Sequence, residues 1–171
     1  QVTDVFEPTY LPVQVSAGFR HTCALDAAGV QCWGDNDYGQ TDVPTLSNPV
    51  QVSVGKWHAC ALDDTGVKCW GSNRDYSISL SPVPALSNPV QITAGGLHSC
   101  ALDDAGVGVH CWGNGGLNPD YTLRPNPVGV GAAILNTCTV DAAGVQCWGS
   151  NEHKLLNVPA LSNPVQVSVD R

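Results

Sequence analysis

Short runs in which apolar and polar residues alternate recur along the chain and predict half-buried β-strands. The runs read VQVS from Val13, Val50 and Val165, VQIT from Val90, and VGVG from Val128. Alternation with a period of two places successive side chains on opposite faces of a strand. No segment shows helical periodicity of useful length, so the pattern predicts an all-β fold.

A predicted β-hairpin follows four of these runs. The hairpin sequences are HTCALDAAGVQCWG from His21, HACALDDTGVKCWG from His58, HSCALDDAGVGVHCWG from His98 and NTCTVDAAGVQCWG from Asn136. In each, two strand-forming stretches flank an Asp-x-x-Gly turn, where Gly can adopt positive φ. A looser stretch ending VPTLSNP or VPALSNP comes next, and its composition suits an edge strand and tight turns. We expect three or four short strands in each unit.

The hairpins recur at a nearly constant spacing. Their first cysteines are 37, 40 and 38 residues apart. A period in this range is typical of a solenoid or a propeller. One small sheet cannot cover both of its faces, whereas neighbouring units can supply the missing surface. A radial arrangement of such sheets is a β-propeller, and we expect blades of about 40 residues.

The alignment predicts one β-propeller, or part of one, with partial units at both ends. The four complete repeats are residues 13–49, 50–89, 90–127 and 128–164. Residues 1–12 match the tail of a preceding repeat, and residues 165–171 match the first strand of a following one. Three explanations stay open: the chain is part of a longer propeller, a terminal strand pairs with another subunit, or one partial copy displaces the other where a ring closes.

The eight cysteines predict four disulfides, one in each hairpin. The pairs are Cys23–Cys32, Cys60–Cys69, Cys100–Cys111 and Cys138–Cys147. Paired residues on antiparallel strands have Cβ atoms about 4.5–5.5 Å apart, and a disulfide needs about 3.8 Å. Each bridge closes a loop of about ten residues, and chain entropy limits its contribution to about 2.5–3 kcal/mol.

Metal binding is the alternative for these cysteines. His21, Cys23 and Cys32 could supply three ligands, but Asn136 takes the place of the histidine in the fourth unit. The short Cys-x-x-Cys spacing of metal knuckles and redox pairs is not present. The acidic stretch DNDYGQTD from Asp35 lacks the third ligand of a calcium loop. We therefore expect structural disulfides, no metal and no cofactor.

Composition favours an exported protein and argues against binding to nucleic acid. The 171 residues are 43 % hydrophobic and 13 % charged, with a net charge of −8 and seven Lys and Arg in all. Nucleic-acid binding needs a basic surface, and no apolar run approaches the roughly 20 residues that span a bilayer. An even set of cysteines suits an oxidising compartment. We expect an extracellular or cell-surface chain, already without its signal peptide, that does not insert into a membrane.

Two sets of recurring residues are predicted to be structural. The tryptophans after the second cysteines are expected to pack between blades: Trp33, Trp70, Trp112 and Trp148. The histidines before the first cysteines are expected to bond to the backbone of a neighbouring blade: His21, His58 and His98.

The segments that differ between repeats predict the contact surface. Divergence within a regular array usually lies in loops on one face. Tyr and Arg are favoured at protein contacts, and the candidates in the segments after Trp-Gly are Tyr38, Arg74, Tyr76, Tyr121 and Arg124. Trp57 does not recur in the other repeats, so we predict that it is exposed and is the best single contact candidate.

The motif set resembles the repeats of the regulator of chromosome condensation family. Those repeats read roughly Gly-x-x-His-Ser-x-Ala-Leu, an acidic turn with Gly, and then Trp-Gly-x-Asn-x-x-Gly-Gln. The first repeat matches at Gly18, His21, Ala24, Leu25, Gly29, Trp33, Gly34, Asn36, Gly39 and Gln40. The resemblance implies β-propeller blades, commonly seven to a ring. This chain differs by its four units and its paired cysteines, which are similar to an exported bacterial form.

The same resemblance implies a binding role without a common active site, since members bind proteins through loops at either end of the propeller. Fold alone does not assign a function. We predict a non-enzymatic extracellular propeller that binds a protein partner or assembles with copies of itself through terminal strand exchange. The alternatives are a propeller that binds carbohydrate or another small ligand, and a propeller that inhibits an enzyme.

Overall fold

The computed structural model describes residues 14–71, 82–104, 108–113 and 126–169. Within these ranges twelve strands form four antiparallel sheets of three strands, which we call blades. Their bounds are β1 Gln14–Ala17, β2 His21–Asp26 and β3 Gly29–Gly34 in blade 1; β4 Gln51–Val54, β5 His58–Asp63 and β6 Gly66–Gly71 in blade 2; β7 Pro89–Ala94, β8 His98–Asp103 and β9 Gly108–Gly113 in blade 3; β10 Gly129–Ala132, β11 Asn136–Asp141 and β12 Gly144–Gly149 in blade 4.

The all-β prediction is confirmed, and each blade is an antiparallel meander in chain order. The alternating runs form the first strands, and the predicted hairpins form the second and third strands. The run at Val165 takes part in no β-ladder among the described residues, so its assignment to a following repeat stays a prediction. A short 3-10 helix covers Glu152–Lys154. No helix in the described ranges is long and apolar enough to cross a membrane.

All four predicted cysteine pairs are disulfide bonded. Cys23 lies directly opposite Cys32 in the β2–β3 ladder, and the other three pairs have the same register. The Cα atoms of Cys23 and Cys32 are 4.1 Å apart, and those of the other pairs are 4.0 Å apart. The first cysteine of each pair is buried, so each bridge closes its hairpin on the core side.

Apolar clusters fill the spaces between successive blades. Between blades 1 and 2, Cys23 and Leu25 of β2 pack with Val52 and Val54 of β4 and with Trp70 of β6. We call the boundary between two successive blades a joint. The joint between blades 2 and 3 repeats this arrangement with Leu62, Ile92 and Trp112, and the joint between blades 3 and 4 repeats it with Leu102, Val130 and Trp148. Because each cluster takes residues from two blades, a single blade cannot bury its own core.

The predicted packing of the recurring tryptophans between blades is confirmed at three positions and is wrong at Trp33. Trp70, Trp112 and Trp148 are buried. Trp33 is 53 % exposed, because it lies on the flank of blade 1 against which no described blade packs.

A ladder of hydrogen bonds joins the first strands of neighbouring blades. The Val52 N–H donates to Gln14 Oε1 at 2.8 Å, and the Val54 N–H donates to Ser16 Oγ at 3.0 Å. The next two joints repeat these bonds, from Ile92 to Gln51, Ala94 to Ser53, Val130 to Gln91 and Ala132 to Thr93. The polar residues of the alternating runs therefore hold the blades together.

Two of the glutamines use both atoms of their amide group. Gln51 Nε2 donates to the Ile92 carbonyl at 2.9 Å, while Gln51 Oε1 accepts from the Ile92 N–H. Gln91 forms the same pair of bonds with Val130. One side chain thus satisfies the donor and the acceptor of a single backbone residue in the next blade.

Glycines after the first strands permit a close approach of the blades near the axis. A Cβ atom on Gly18 would overlap the Gly55 carbonyl oxygen, and one on Gly55 would overlap the Gly95 carbonyl oxygen. Gly95 has the same relation to Ala133. The Gly96 N–H donates to the Ala133 carbonyl at 2.9 Å, so the loops are also bonded to each other.

The loops that arrive from the preceding blade are held by turn aspartates. Asp63 accepts bonds from the Ser47 N–H, from Thr65 and from Lys68, and Asp103 binds the equivalent loop of the next joint. Burial opposes ionisation of Asp63, but these bonds outweigh it and hold the pKa of that carboxyl well below its usual value. The edge strand that we predicted in these loops is wrong, since residues 43–49 and 83–88 belong to no ladder.

Two of the recurring histidines bond to the next blade. Nε2 of His58 lies 2.8 Å from Ser99 Oγ, and Nε2 of His98 lies 2.8 Å from Thr137 Oγ1. The prediction of contact with a neighbouring blade is confirmed, but the predicted backbone partner is wrong for these two rings. A side-chain hydroxyl takes that place because it projects from the second strand of the next blade.

Burial lowers the pKa of all three histidines. The pKa of His58 falls to about 3, mainly through burial and further through the nearby His98 and His21 rings. Burial lowers the pKa of His98 to about 4. Burial also lowers the pKa of His21, against opposing contributions from the His58 backbone and from Asp35. The three rings are therefore neutral in the folded protein at neutral pH.

We expect Gln51→Ala to lower the free energy of unfolding by about 1–3 kcal/mol, because it leaves the Ile92 N–H and carbonyl without their partner. Gln31→Ala is the matched control, since Gln31 is exposed on β3, and it should cost no more than about 0.5 kcal/mol. Urea denaturation without reductant measures both. Equal losses in the two variants would contradict a role for the ladder.

Acid should destabilise the fold through the buried histidines. The unfolded chain binds a proton at His58 near pH 6.5 and the folded chain only near pH 3. The stability that His58 contributes is therefore complete above pH 6.5 and is lost as the pH falls from 6.5 towards 3. We expect His58→Asn, which copies Asn136, to flatten this dependence by up to about 1.4 kcal/mol per pH unit. Urea midpoints at pH 7, 5.5 and 4.5 test this, and an unchanged slope would refute it.

Candidate functional site

The meander topology places different groups at the two ends of the blades. One end carries the turns between second and third strands, and it is acidic through Asp26, Asp63, Asp64, Asp103, Asp104 and Asp141. The opposite end carries the loops after the first strands and the variable segments after Trp-Gly. The candidate site lies at this second end.

Five side chains of blades 1 and 2 meet there in an aromatic–cationic cluster: Phe19, Arg20, Tyr38, Lys56 and Trp57. The ring centroids of Phe19 and Trp57 are 5.2 Å apart with an interplanar angle of 73°. Those of Tyr38 and Trp57 are 5.8 Å apart at 67°. Both are edge-to-face pairs, in which the positive edge of one ring meets the negative face of another.

Both cations of the cluster lie near the same two rings. Arg20 Cζ is 5.4 Å from the Phe19 centroid and 5.9 Å from the Trp57 centroid. Lys56 Nζ is 5.6 Å and 5.8 Å from the same centroids. The ring quadrupoles attract these charges and help to hold them together. Nη1 of Arg20 also lies 3.6 Å from Oδ2 of Asp35, and the Arg20 side chain is 56 % exposed.

Local backbone contacts position the cluster. The Asp35 N–H donates to the Arg20 carbonyl at 2.9 Å and fastens the loop before β2 to the segment after β3. The Tyr38 N–H donates to Oε1 of the buried Gln40 at 2.8 Å. The Gln40 carbonyl accepts a bond from the Trp70 indole at 3.1 Å. The segment that carries Tyr38 is thereby anchored to the joint between blades 1 and 2.

The cluster is the exception in an acidic protein. The described residues include four Lys and Arg, and two of them, Arg20 and Lys56, belong to the cluster. A third, Lys68, is bonded to Asp63 at 2.9 Å at the other end of the blades. Phe19 is 41 % exposed beside the two cations. The surface therefore offers a partner one apolar ring, the charge of Lys56 and the charge of Arg20, which Asp35 partly balances.

A cavity of about 230 Å³ adjoins the cluster at the axis. Phe19 and Lys56 stand at its edge, and small residues of the four inner loops line most of it. Its floor contains Gly18, Gly55 and Gly95, whose missing side chains allow the blades to approach. The cluster and the cavity form one continuous surface.

The structure brings two of the predicted contact residues together and corrects one of them. Tyr38 and Trp57 are neighbours, as given above, but Trp57 is only 7 % exposed, so its predicted exposure is wrong. Phe19 and the two cations cover it. The other predicted contact residues, Arg74, Tyr76, Tyr121 and Arg124, lie outside the described residues.

Sequence reasoning missed Phe19, Arg20 and Lys56. A signal was present in the two residues between the recurring Gly or Ala and the His or Asn, which read FR, KW, GL and IL in the four repeats. These two positions differ between repeats, as the segments after Trp-Gly do, but a stretch of only two residues is easily overlooked.

The acidic segment from Asp35 uses its side chains for local bonds. Asp35 accepts from the Asp37 N–H at 2.9 Å, and Asp42 accepts from the Asn36 amide at 2.8 Å. Across the described part of the chain, no group of three or more His, Cys, Asp or Glu is arranged to hold a metal ion.

One family model matches the chain, the regulator of chromosome condensation (RCC1) repeat, at residues 13–40 and 50–76. Both matches begin at an alternating run and continue through the hairpin into the segment that follows Trp-Gly. No curated protein matches the chain in sequence.

Several solved structures share the fold. The ectodomain of the Physcomitrella patens receptor kinase CR4 superposes with a TM-score of 0.76 at 25 % identity, over 94 % of this chain and 45 % of that one. The ectodomain of the Arabidopsis thaliana receptor kinase ACR4 gives 0.64 at 26 %, over 79 % and 49 %. Yeast RCC1 (Prp20), solved bound to Kap60, gives 0.69 at 17 %, over 90 % and 47 %.

The chain spans about half the length of these solved proteins. The matched segments contain the glycines, the hairpin and the Trp-Gly on which the blades depend. Two segments of the chain therefore match the regulator of chromosome condensation repeat, and the four described blades, each closed by a disulfide, have the fold of RCC1-like β-propeller blades.

Proposed function

We propose that this chain is a non-enzymatic, extracellular binding module that recognises an acidic protein surface through the aromatic–cationic cluster. The observation that carries the proposal is the pairing of exposed Phe19 with Arg20 and Lys56 on a chain of net charge −8. Aromatic residues and Arg are favoured at the centres of protein interfaces.

The geometry suits a partner that presents carboxylates around an apolar side chain. Trp57 and Tyr38 restrain Phe19 before binding, so less side-chain entropy is lost in the complex. The adjoining cavity can accept an apolar side chain beside Phe19. The acidic turns at the other end repel an acidic partner, which favours binding at the end that carries Arg20 and Lys56.

Three further observations support an extracellular protein-binding role. Disulfides persist in oxidising compartments, and four are present here. Two of the similar structures are receptor ectodomains. Yeast Prp20 was solved bound to the protein Kap60, and another Prp20 structure is described with binding to Gsp1p and histones. Propellers of this fold therefore include protein binders.

We expect the wild-type chain to bind immobilised peptides in which Asp or Glu flank one Leu or Phe. Phe19→Ala and Lys56→Ala should each weaken this binding at least about tenfold, which is about 1.4 kcal/mol. Raising the salt concentration should weaken it as well. Surface plasmon resonance measures each affinity.

Lys154→Ala and Val90→Ala are the matched controls, because they remove an exposed cation and an exposed apolar side chain outside the cluster. Both should bind like the wild type. The proposal fails if the controls lose as much affinity as the cluster variants, or if peptides with Lys in place of the acids bind equally well.

Self-association is a second candidate that a specific observation favours. Gln166 and Ser168 correspond to Gln14 and Ser16, whose side chains accept the hydrogen bonds between blades, and they lie in an exposed segment. In blade 1, the Val15 and Ala17 N–H groups correspond to the N–H donors of Val52 and Val54, and no side chain of the described residues accepts from them. A second copy could therefore continue the ladder with Gln166 and Ser168 facing Val15 and Ala17.

Removing residues 165–171 should then abolish association, because it deletes both ladder side chains. Gln166→Ala together with Ser168→Ala should weaken association while keeping the apolar residues of the segment. Sedimentation velocity over a concentration series measures the assembly state. An unchanged assembly state after the truncation would rule out this mode of assembly.

A further inference from the structure

The joint that follows blade 4 lacks the side chains that connect the other blades. At the positions of Gln51 and Ser53, strand β10 has Gly129 and Gly131. Glycine has no side chain to reach the next strand. Strand β10 therefore lacks the side-chain amide that Gln51 provides and the hydroxyl that Ser53 provides. Among the first strands of the four described blades, β10 alone has this double replacement.

Residues 165–169 nevertheless lie beside β10 in the register of the earlier joints. A Cβ atom on Gly131 would be 3.3 Å from the Val167 carbonyl oxygen and 3.6 Å from the Val169 nitrogen. A serine at this position would thus reach the Val169 N–H, as the ladder serines do elsewhere. In this register Val167 is the equivalent of Ile92, and Gly129 is the equivalent of Gln51.

A cavity of about 370 Å³ lies between the start of β10 and residues 165–167, beside Gly129. Gly129 and Val167 both line it, together with Gln91, Gln166, the buried Leu102 and the largely exposed side chains of Val128 and Val165. This volume lies within the range of small-molecule pockets, roughly 300–1,000 Å³. In the described ranges, neither the N–H nor the carbonyl of Val167 has a hydrogen-bond partner.

We propose that this cavity, the amide slot, binds a primary carboxamide, supplied by a Gln or Asn side chain of a partner polypeptide. The bound amide accepts from the Val167 N–H and donates to the Val167 carbonyl. It reproduces the two bonds of 2.8 Å and 2.9 Å that Gln51 makes with Ile92.

Hydrogen-bond chemistry selects this group over its isosteres. A primary amide carries one acceptor and two donors, whereas a carboxylate only accepts and would face the Val167 carbonyl with a lone pair. A tertiary amide has no donor for that carbonyl. An apolar group would displace water from both backbone groups and leave them without partners, which costs free energy.

Charge and position also favour a neutral ligand. The slot lies at the end of the blades that carries the turn aspartates, close to the starts of β7 and β10. Negative charge there disfavours a carboxylate that would otherwise fit the same space. Because the aromatic–cationic cluster occupies the opposite end, this inference does not rest on the proposed function.

Titration of the full ¹⁵N-labelled chain with four probes tests the proposal. The probes are acetamide, N-acetylglutamine methylamide, acetate and N,N-dimethylacetamide. We expect acetamide and the capped glutamine to shift the Val167 and Val130 amide resonances in a saturable manner. The capped glutamine should bind several-fold more tightly, because its chain also contacts Val128 and Val165. Acetate and dimethylacetamide should leave both resonances unchanged.

A matched pair of variants locates the effect. Gly129→Gln should fill the slot and reduce the response to both primary amides at least tenfold, whereas Gly129→Ala should retain it. Both substitutions place a Cβ 3.0 Å from Val140 Cγ1, so they impose the same strain, and Val140→Ala relieves it in either background.

Three results would overturn the proposal. The first is an equal response to acetate or to dimethylacetamide, and the second is an undiminished response of Gly129→Gln. The third, acetamide binding as tightly as the capped glutamine, would replace the polypeptide with a free small amide as the source of the group. Should neither variant fold, the comparison of the four probes on the wild-type chain decides the matter.

Discussion

The bonding of the first strands of blades 1, 2 and 3 to the backbone of the next blade is the interaction on which the rest of the structure depends. Gln51 and Gln91 each provide one hydrogen-bond donor and one acceptor to the backbone of the first strand in the next blade. An edge strand would otherwise carry unpaired backbone groups near the axis. The same register places the apolar residues of these strands in the clusters between blades. Packing between blades and the position of every loop follow from this ladder.

Two further devices keep each blade rigid enough to take part in the ladder. The disulfide ties the second and third strands at paired positions, so the hairpin cannot slip by one residue. The turn aspartate, as at Asp63, ties the incoming loop to the hairpin. Both connect residues that are at most 16 positions apart in the sequence, within one blade or at its edge. The glycines at the axis have the opposite role, since they permit neighbouring blades to meet.

This framework also explains where binding residues arise. The regular contacts occupy the positions that recur, so function is left to positions that vary between repeats. Phe19 and Lys56 vary in this way, and the close approach of Gly18 to Gly55 brings them together. The same reasoning applies to Gly129, where the loss of a recurring glutamine opens a cavity instead of adding a contact. Both candidate sites are departures from the repeat.

The sequence by itself determined the strands, the hairpins, the cysteine pairs and the propeller class, because each depends on residues close along the chain or on a constant period. Only the tertiary structure decided the burial of Trp57, the exposure of Trp33 and the assembly of the aromatic–cationic cluster. These depend on which blade lies beside each residue, and equivalent residues in different repeats have different neighbours. Ser99 forms a hydrogen bond with His58, whereas Ala59 has no hydroxyl for His21. This difference arises when residues about 40 apart in sequence are packed together.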